Sequence, residues 1–253
     1  MFRNAIVRTP CRSVTDGITT ANLGKPDYLL ALEQHKKYIE ALRLAGINVM
    51  VLDASDQYPD STFIEDVALC TSACAIITRP GASERRGETT GMADVLKSYY
   101  DVVEEILYPG TIEAGDIMMA GTHYYIGISG RTNREGADQL MSILKKYKFT
   151  ASQIPLKKLL HLKSGVSYLE NGCLLVSKDL YKNEEFEVYK KIVIDDDERY
   201  AANSLWINGT VLVPENFPGT REKIEKAGYK TTTLDVSEFR KLDGGLSCLS
   251  LRF

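Results

Sequence analysis

Long apolar runs are missing from this chain. None approaches the roughly eighteen residues that a membrane-crossing helix needs. The start, MFRNAIVRTPCRS, lacks the apolar core of a secretory leader, so neither a membrane nor export is expected and the cytoplasm is the expected location. A surplus of positive charge is missing too. Lys and Arg number 31 against 34 Asp and Glu, which argues against the basic footprint of a nucleic-acid binder. Cysteine is scarce and odd in number, at positions 11, 70, 74, 173 and 248, which in a reducing compartment reads as free thiols and not as a disulfide framework. Glycosylation requires secretion, so the sequon Asn208-Gly209-Thr210 carries no weight in that setting. A phosphate-cradling Walker loop, a Gly-x-Gly-x-x-Gly turn and a His-Glu-x-x-His helix are all absent, and Cys70 and Cys74 lack a second ligand pair. Neither a nucleotide cofactor nor a zinc site is expected.

What the chain does contain is hairpin grammar. Four segments show paired apolar runs around a short turn: FIEDVALCTSACAIITRPG, IEAGDIMMAGTHYYIGISG, HLKSGVSYLENGCLLVSKD and ANSLWINGTVLVPE. Helical periodicity marks PDYLLALEQHKKYIEALRLAG, ETTGMADVLKSYYDVVEEI and NREGADQLMSILKKYK, and TREKIEKAG adds a fourth helix that stops at Gly228. The last stretch, GGLSCLSLRF, alternates like half a hairpin, and RNAIVRTP near the start is its natural partner.

The hairpins recur at a fixed interval. Glu65 and Glu113 are 48 residues apart, Glu113 and His161 another 48, Asn203 lies 42 further on and Cys248 45 beyond that. Self-similarity at such a period means stacked supersecondary units. Five hairpin-plus-helix units, closed by pairing the last strand with the first, make an α/β ring in one domain spanning residues 1–253, with an open α/β sheet as the alternative. In a ring, equivalent positions converge on the axis, so Glu65, Asp66, Glu113, His161 and Cys248 are expected to meet.

That constellation suits acid/base and nucleophilic chemistry. Taken alone, Cys248 reads as a small buried hydrophobe. The preceding Gly244 and Gly245, which permit close backbone approach to a ligand, tip it toward a reagent. His161 opens an apolar strand, and histidine is the side chain best poised to move protons near neutral pH. Glu113 is placed to orient it and support its imidazolium form. Arg85 and Arg131 follow consecutive hairpins, which suggests a pair at one rim able to clamp a carboxylate through their guanidinium forks. Acids within and arginines at the rim describe a substrate with a cationic end and a carboxylate end.

The ordered runs NLGKPDY, PDSTFIEDVALCTSACAIITRPGASERRGE, TIEAGDIM, YIGISGRTN, LLHLKSG, YAAN and DGGLSCLSLRF resemble the dimethylarginine dimethylaminohydrolases over the whole length. This family lies in the guanidino-group-modifying superfamily, with the arginine deiminases and amidinotransferases. The resemblance implies a five-bladed pseudo-symmetric α/β propeller of the pentein type that hydrolyses methylated arginine to citrulline and a methylamine, with a small-molecule substrate as its partner and no cofactor. It implies Cys248 as nucleophile, His161 as general acid/base and Glu113 as the acid that holds the histidine. Glu65 and Asp66 would lie about the guanidinium, Asp60 and the Ile18 backbone at the α-amino group, and Arg85 and Arg131 on the carboxylate. Ile18 stands where relatives often have leucine, and Asn22 where they often have histidine. The segment SVTDGITTANLGKP is the lid candidate. An arginine deiminase, a non-catalytic propeller that binds arginine-like ligands and a thiol redox protein are the rival readings, and a homodimer is left open.

Overall fold

The computed structural model describes all of residues 1–253. In chain order the first unit is β1 (Asn4–Arg8), α1 (Tyr28–Leu44) and β2 (Asn48–Leu52). The second is β3 (Ala68–Cys70), β4 (Ala75–Ile77), α2 (Met92–Lys97) and β5 (Val103–Glu105), and the third β6 (Ile117–Ala120), β7 (His123–Ile128), α3 (Arg134–Lys146) and β8 (Thr150–Pro155). The fourth, β9 (Val166–Tyr168), β10 (Cys173–Val176) and β11 (Lys190–Val193), crosses over without an α-helix. The fifth is β12 (Leu205–Ile207), β13 (Thr210–Pro214), α4 (Pro218–Lys226) and β14 (Lys230–Leu234), followed by α5 (Ser237–Arg240) and β15 (Leu251–Arg252).

Each unit forms its own three-stranded sheet with an antiparallel pair and a parallel third strand. The first sheet is completed by β15, which pairs antiparallel with β1 through Ala5 against Arg252 and Ile6 against Leu251. The ring is thus closed by the two ends of the chain, as the sequence predicts. Between neighbouring blades lies an apolar seam. Ile6, Ile64, Ile77 and Leu251 fill the one between the first and second, and Leu175, Ile194, Val211 and Ile224 the one between the fourth and fifth. Five such seams replace a single core.

Local chemistry explains the joints. Asn208 and Gly209 both take positive φ between β12 and β13, the two-residue turn that matches strand twist. The Asn208 side chain is occupied by the Phe2 backbone, accepting its N–H and donating to its carbonyl, each at 2.9 Å. Asp27 caps α1 by accepting from the Leu30 N–H, and Asn133 caps α3 by accepting from the Gly136 N–H.

The structure corrects two expectations. The helical pattern over residues 88–106 yields only the six residues of α2, because the Val103–Glu105 stretch is drawn into parallel pairing with β4. The segment around Cys248 is a 3-10 turn, Ser247–Leu249, and only Leu251–Arg252 form strand. Similar short turns precede every other hairpin: Ile64–Val67, Ala114–Asp116, Leu162–Ser164 and Asp196–Ala202. These five turns gather at the axis.

Candidate active site

The residues at the expected period sit on or beside those axial turns. Glu65 and Asp66 lie within the first turn, Glu113 and His161 each immediately precede theirs, Asn203 follows its own, and Cys248 is central to the last. His161 Nε2 is 2.9 Å from Glu113 Oε2, and both residues are buried. The other Glu113 oxygen accepts the Ala82 N–H at 3.0 Å and faces Arg131 Nη1 at 3.5 Å. Asp66 accepts the Gly115 N–H at 2.9 Å on one oxygen and Arg85 Nη1 at 2.7 Å on the other. Gly115 is the hinge of this packing, since a Cβ there would lie 2.8 Å from His161 Nδ1 and 3.1 Å from Asp66 Oδ1.

Electrostatics separates the groups. Burial disfavours a charged His161, yet the Glu113 hydrogen bond and the charges of Asp116 and Asp66 outweigh it and raise the imidazole to about 9. Glu113, although buried, is held below the usual carboxylate range by His161 and Arg85. Burial, reinforced by Glu65 and Asp66, pushes the Cys248 thiol up to about 12, against a weak opposing hydrogen bond from the Gly245 N–H to Sγ at 3.4 Å. The resting pair at neutral pH is therefore a thiol and an imidazolium.

Two cavities meet at Cys248 and His161. An inner one, of about 40 Å³, is lined by Ile18, Asp60, Asp66, Arg85, Glu113 and Arg131. An outer one, of about 400 Å³, is lined by Ala21, Leu23, Tyr200, Asn203 and Gly245 among others. Leu160, His161, Asp243 and Cys248 border both. The histidine and the sulfur are thus brought to one place, with acids and arginines on the inner side.

Other expected residues are placed differently. The Glu65 carboxylate does not line the inner cavity: it accepts from Lys163 at 2.6 Å, Arg252 at 2.8 Å and Ser247 Oγ at 2.8 Å. Neighbours in a 3-10 turn point about 120° apart, so Asp66 facing the cavity turns Glu65 away from it. Its contact is with the turn that carries Cys248, and it is not among the residues lining the inner cavity. Arg85 does border the cavity, but its Nε and Nη2 are spent on Glu88 at 2.8–3.2 Å, its Nη2 also on the Phe63 carbonyl at 3.0 Å and its Nη1 on Asp66 at 2.7 Å, so it offers charge in place of a free fork. Arg131, held only by the long Glu113 contact, keeps its fork. Asp60 and Ile18 touch each other, the Ile18 N–H donating to both carboxylate oxygens at 3.1 Å. Gly244 and Gly245 are needed for packing against protein: a Cβ would meet the Phe63 ring at 2.2 Å or Asn203 Oδ1 at 2.5 Å.

Three residues escape sequence reasoning about the site. Asn203 accepts the Ser247 N–H at 2.9 Å and donates to Ser247 Oγ at 3.0 Å, bracing the residue before the cysteine. Its place in the recurring spacing of 42 to 48 residues was the available signal. Asp243, at φ +59°, accepts from the Thr20 backbone and hydroxyl at 2.5 and 3.0 Å and thereby fastens the lid candidate, whose Asn22 is exposed. Asp116 is fully buried beside His161.

The family model for the eukaryotic N,N dimethylarginine dimethylhydrolases matches residues 27–205. A dimethylarginine dimethylaminohydrolase from Pseudomonas aeruginosa is 51% identical over 254 residues, covering all of both chains. Its solved structure, a cysteine-to-serine mutant complexed with citrulline, superimposes with a TM-score of 0.99 at 50% identity over the full length of both. A second solved structure, a histidine-to-glycine variant described as an adduct with S-methyl-L-thiocitrulline, gives 0.98 at 50% identity, again over both whole chains. At this identity over the whole length, the chain belongs to the dimethylarginine dimethylaminohydrolase family.

Proposed function

We propose that Cys248, His161 and Glu113 carry out the hydrolysis of methylated arginine in this chain, within one domain spanning residues 1–253. The enzyme is a dimethylargininase, giving citrulline. The observation that best supports this assignment of roles is the position of Cys248 and His161 on the border between the acid-lined inner cavity and a wider outer one. A guanidinium in the inner cavity would face Asp66 and Glu113, its α-amino group Asp60 and the Ile18 backbone, and its carboxylate Arg131, with Arg85 supplying charge.

A guanidinium carbon is a poor electrophile and needs a thiolate. The free thiol is held protonated by burial and by Glu65 and Asp66. A bound cation offsets those two carboxylates, so the substrate itself promotes loss of the thiol proton to solvent. The sulfur then bonds to the guanidinium carbon. His161, as imidazolium, gives its proton to the departing amine as the carbon–nitrogen bond breaks, leaving a thiouronium on Cys248. The neutral imidazole next takes a proton from water; the resulting hydroxide adds to the same carbon, and as the carbon–sulfur bond breaks the adduct's hydroxyl proton passes to the departing sulfur, restoring the thiol and releasing citrulline. Glu113 keeps the imidazole oriented and supports its charged form.

Incubation with asymmetric dimethylarginine should release citrulline and dimethylamine in equal amounts, and Cys248→Ser should abolish both. Faster ammonia release from unmodified arginine would favour a deiminase, and binding without citrulline would leave only a ligand-binding propeller. We place the protein in the cytoplasm, where its five free thiols stay reduced; no helix is long and apolar enough to cross a membrane.

A further inference from the structure

Three residues after Glu65, Glu113, His161, Asn203 and Cys248 the chain carries Ala68, Asp116, Ser164, Trp206 and Leu251. Four of the five blades place an uncharged residue there, and the third places a carboxylate with no solvent exposure at all. A buried charge is costly unless it is compensated. The neutral donors to Asp116 are the Leu162 N–H at 3.0 Å and the Ser129 hydroxyl at 2.7 Å. Leu162 directly follows His161, so the first of these bonds fixes the backbone from which the imidazole projects. No lysine or arginine makes an ion pair with Asp116, and the cation nearest in effect is His161 itself. Gly127 leaves room for this arrangement, since a Cβ there would lie 2.8 Å from Asp116 Oδ1.

We propose that Asp116 is a positioning residue of the reaction, a second carboxylate behind Glu113 that seats the His161 backbone and sustains the imidazolium that protonates the leaving amine. The division of labour is geometric. Glu113 bonds the ring at Nε2, whereas Asp116 holds the main chain and acts on the ring through its charge. The other charged and titratable groups about the imidazole are Asp66 from the second blade, Arg85 and Arg131 through their acids, Lys163 on the same turn but tied to Glu65, and the Cys248 thiol from the last turn. Burial, only partly offset by His161, raises the Asp116 carboxyl to about 6. It is therefore ionised at neutral pH and above, where the imidazolium is needed.

This inference rests on the catalytic role given to His161, but its decisive test does not need turnover. The chain has three histidines, so three imidazole titrations are resolvable by NMR in the ligand-free protein, and His161→Gln identifies the relevant one. Asp116→Asn keeps an acceptor for the Leu162 N–H and removes the charge, at the expense of the acceptor that meets the Ser129 hydroxyl. The expected result is a His161 titration lowered by about one unit or more, with kcat on dimethylarginine down about tenfold, KM within about twofold, and the alkaline limb of the kcat profile moved down in parallel. Asp116→Ala, which also loses the backbone contact, should cost more activity; if it fails to fold, Asp116→Asn alone decides. A His161 titration unmoved in Asp116→Asn overturns the proposal, whether or not activity falls, because loss of activity alone would reflect packing. A moved titration in a wild-type protein that releases no citrulline would uphold the coupling of Asp116 to His161 and overturn the functional assignment, and with it the catalytic use of that coupling.

Discussion

Gly115 offers the sharpest test of the site's geometry. Its φ is not in the left-handed region, so alanine is acceptable to the backbone and the effect of Gly115→Ala is purely steric. The new Cβ would sit 2.8 Å from His161 Nδ1 and 2.9 Å from its Cγ, whereas ordinary contact begins at 3.4 Å. The imidazole must therefore retreat by about half an ångström, away from an optimal bond to Glu113. Misplacement of about 1 Å can cost about a hundredfold in rate, so kcat should fall roughly ten- to a hundredfold while KM changes little. Overpacking of a well-filled site should also destabilise the fold by about 1–3 kcal/mol. The assay is urea denaturation of four proteins: wild type, Gly115→Ala, His161→Ala and the double variant. Removing the ring removes the obstacle, so the penalty of Gly115→Ala should shrink by about 1 kcal/mol or more in the His161→Ala background. A small remainder is expected from the 3.1 Å approach to Asp66. Strict additivity, or a Gly115→Ala enzyme with wild-type kcat, would refute the packing account.

Three further outcomes follow from the charges and contacts of the site. Because burial and the neighbouring acids raise the Cys248 thiol to about 12, the ligand-free protein should show no ultraviolet thiolate signal and slow alkylation near neutral pH, with both rising when an unreactive guanidinium ligand binds; a thiolate already present without ligand would contradict substrate-assisted ionisation. The folded-state value of His161 lies above the ordinary 6.5, at about 9, so its protonation stabilises the fold fully below pH 6.5 and this contribution is lost as pH rises through 9. At about 1.4 kcal/mol per unit it amounts to about 3 kcal/mol, and the stability gap between wild type and His161→Gln should close over that window in denaturation series. Asp243→Ala releases the Thr20 backbone and hydroxyl, so limited proteolysis should cut within residues 17–24 faster than in wild type and KM should rise; unchanged cleavage would show that the latch does not hold the loop.

Period and polarity carried much of this architecture because the fold itself is periodic. A blade needs one apolar hairpin, a crossover and a third strand, and each need leaves a mark in the chain at nearly constant spacing. The pairing of GGLSCLSLRF with RNAIVRTP was legible for the same reason: a ring has one seam to close, and two half-motifs remained. Where patterns overlap, legibility fails. Val103 and its neighbours satisfy the helical period of the preceding residues and also suit a strand, and only the availability of the β4 edge decides. The alternation around Cys248 likewise fits a strand, but Asn203, from the neighbouring blade, takes the Ser247 N–H and bends the segment into a turn.

For side-chain direction the limit is finer still. A convergent ring tells which turns meet and says nothing of which neighbour on a turn faces the axis, so Glu65 and Asp66 read alike until one is seen bound to Lys163, Arg252 and Ser247 and the other to Arg85 and the Gly115 N–H. The arginines show the same limit with a functional edge. Arg85 and Arg131 occupy equivalent places after consecutive hairpins, but Glu88, three residues beyond Arg85, captures one fork, whereas no acid follows Arg131 at that distance. Repetition thus builds five equivalent positions around one axis, and the departures from repetition, an acid here and an amide there, divide them into groups free to meet a ligand and groups that hold the others still.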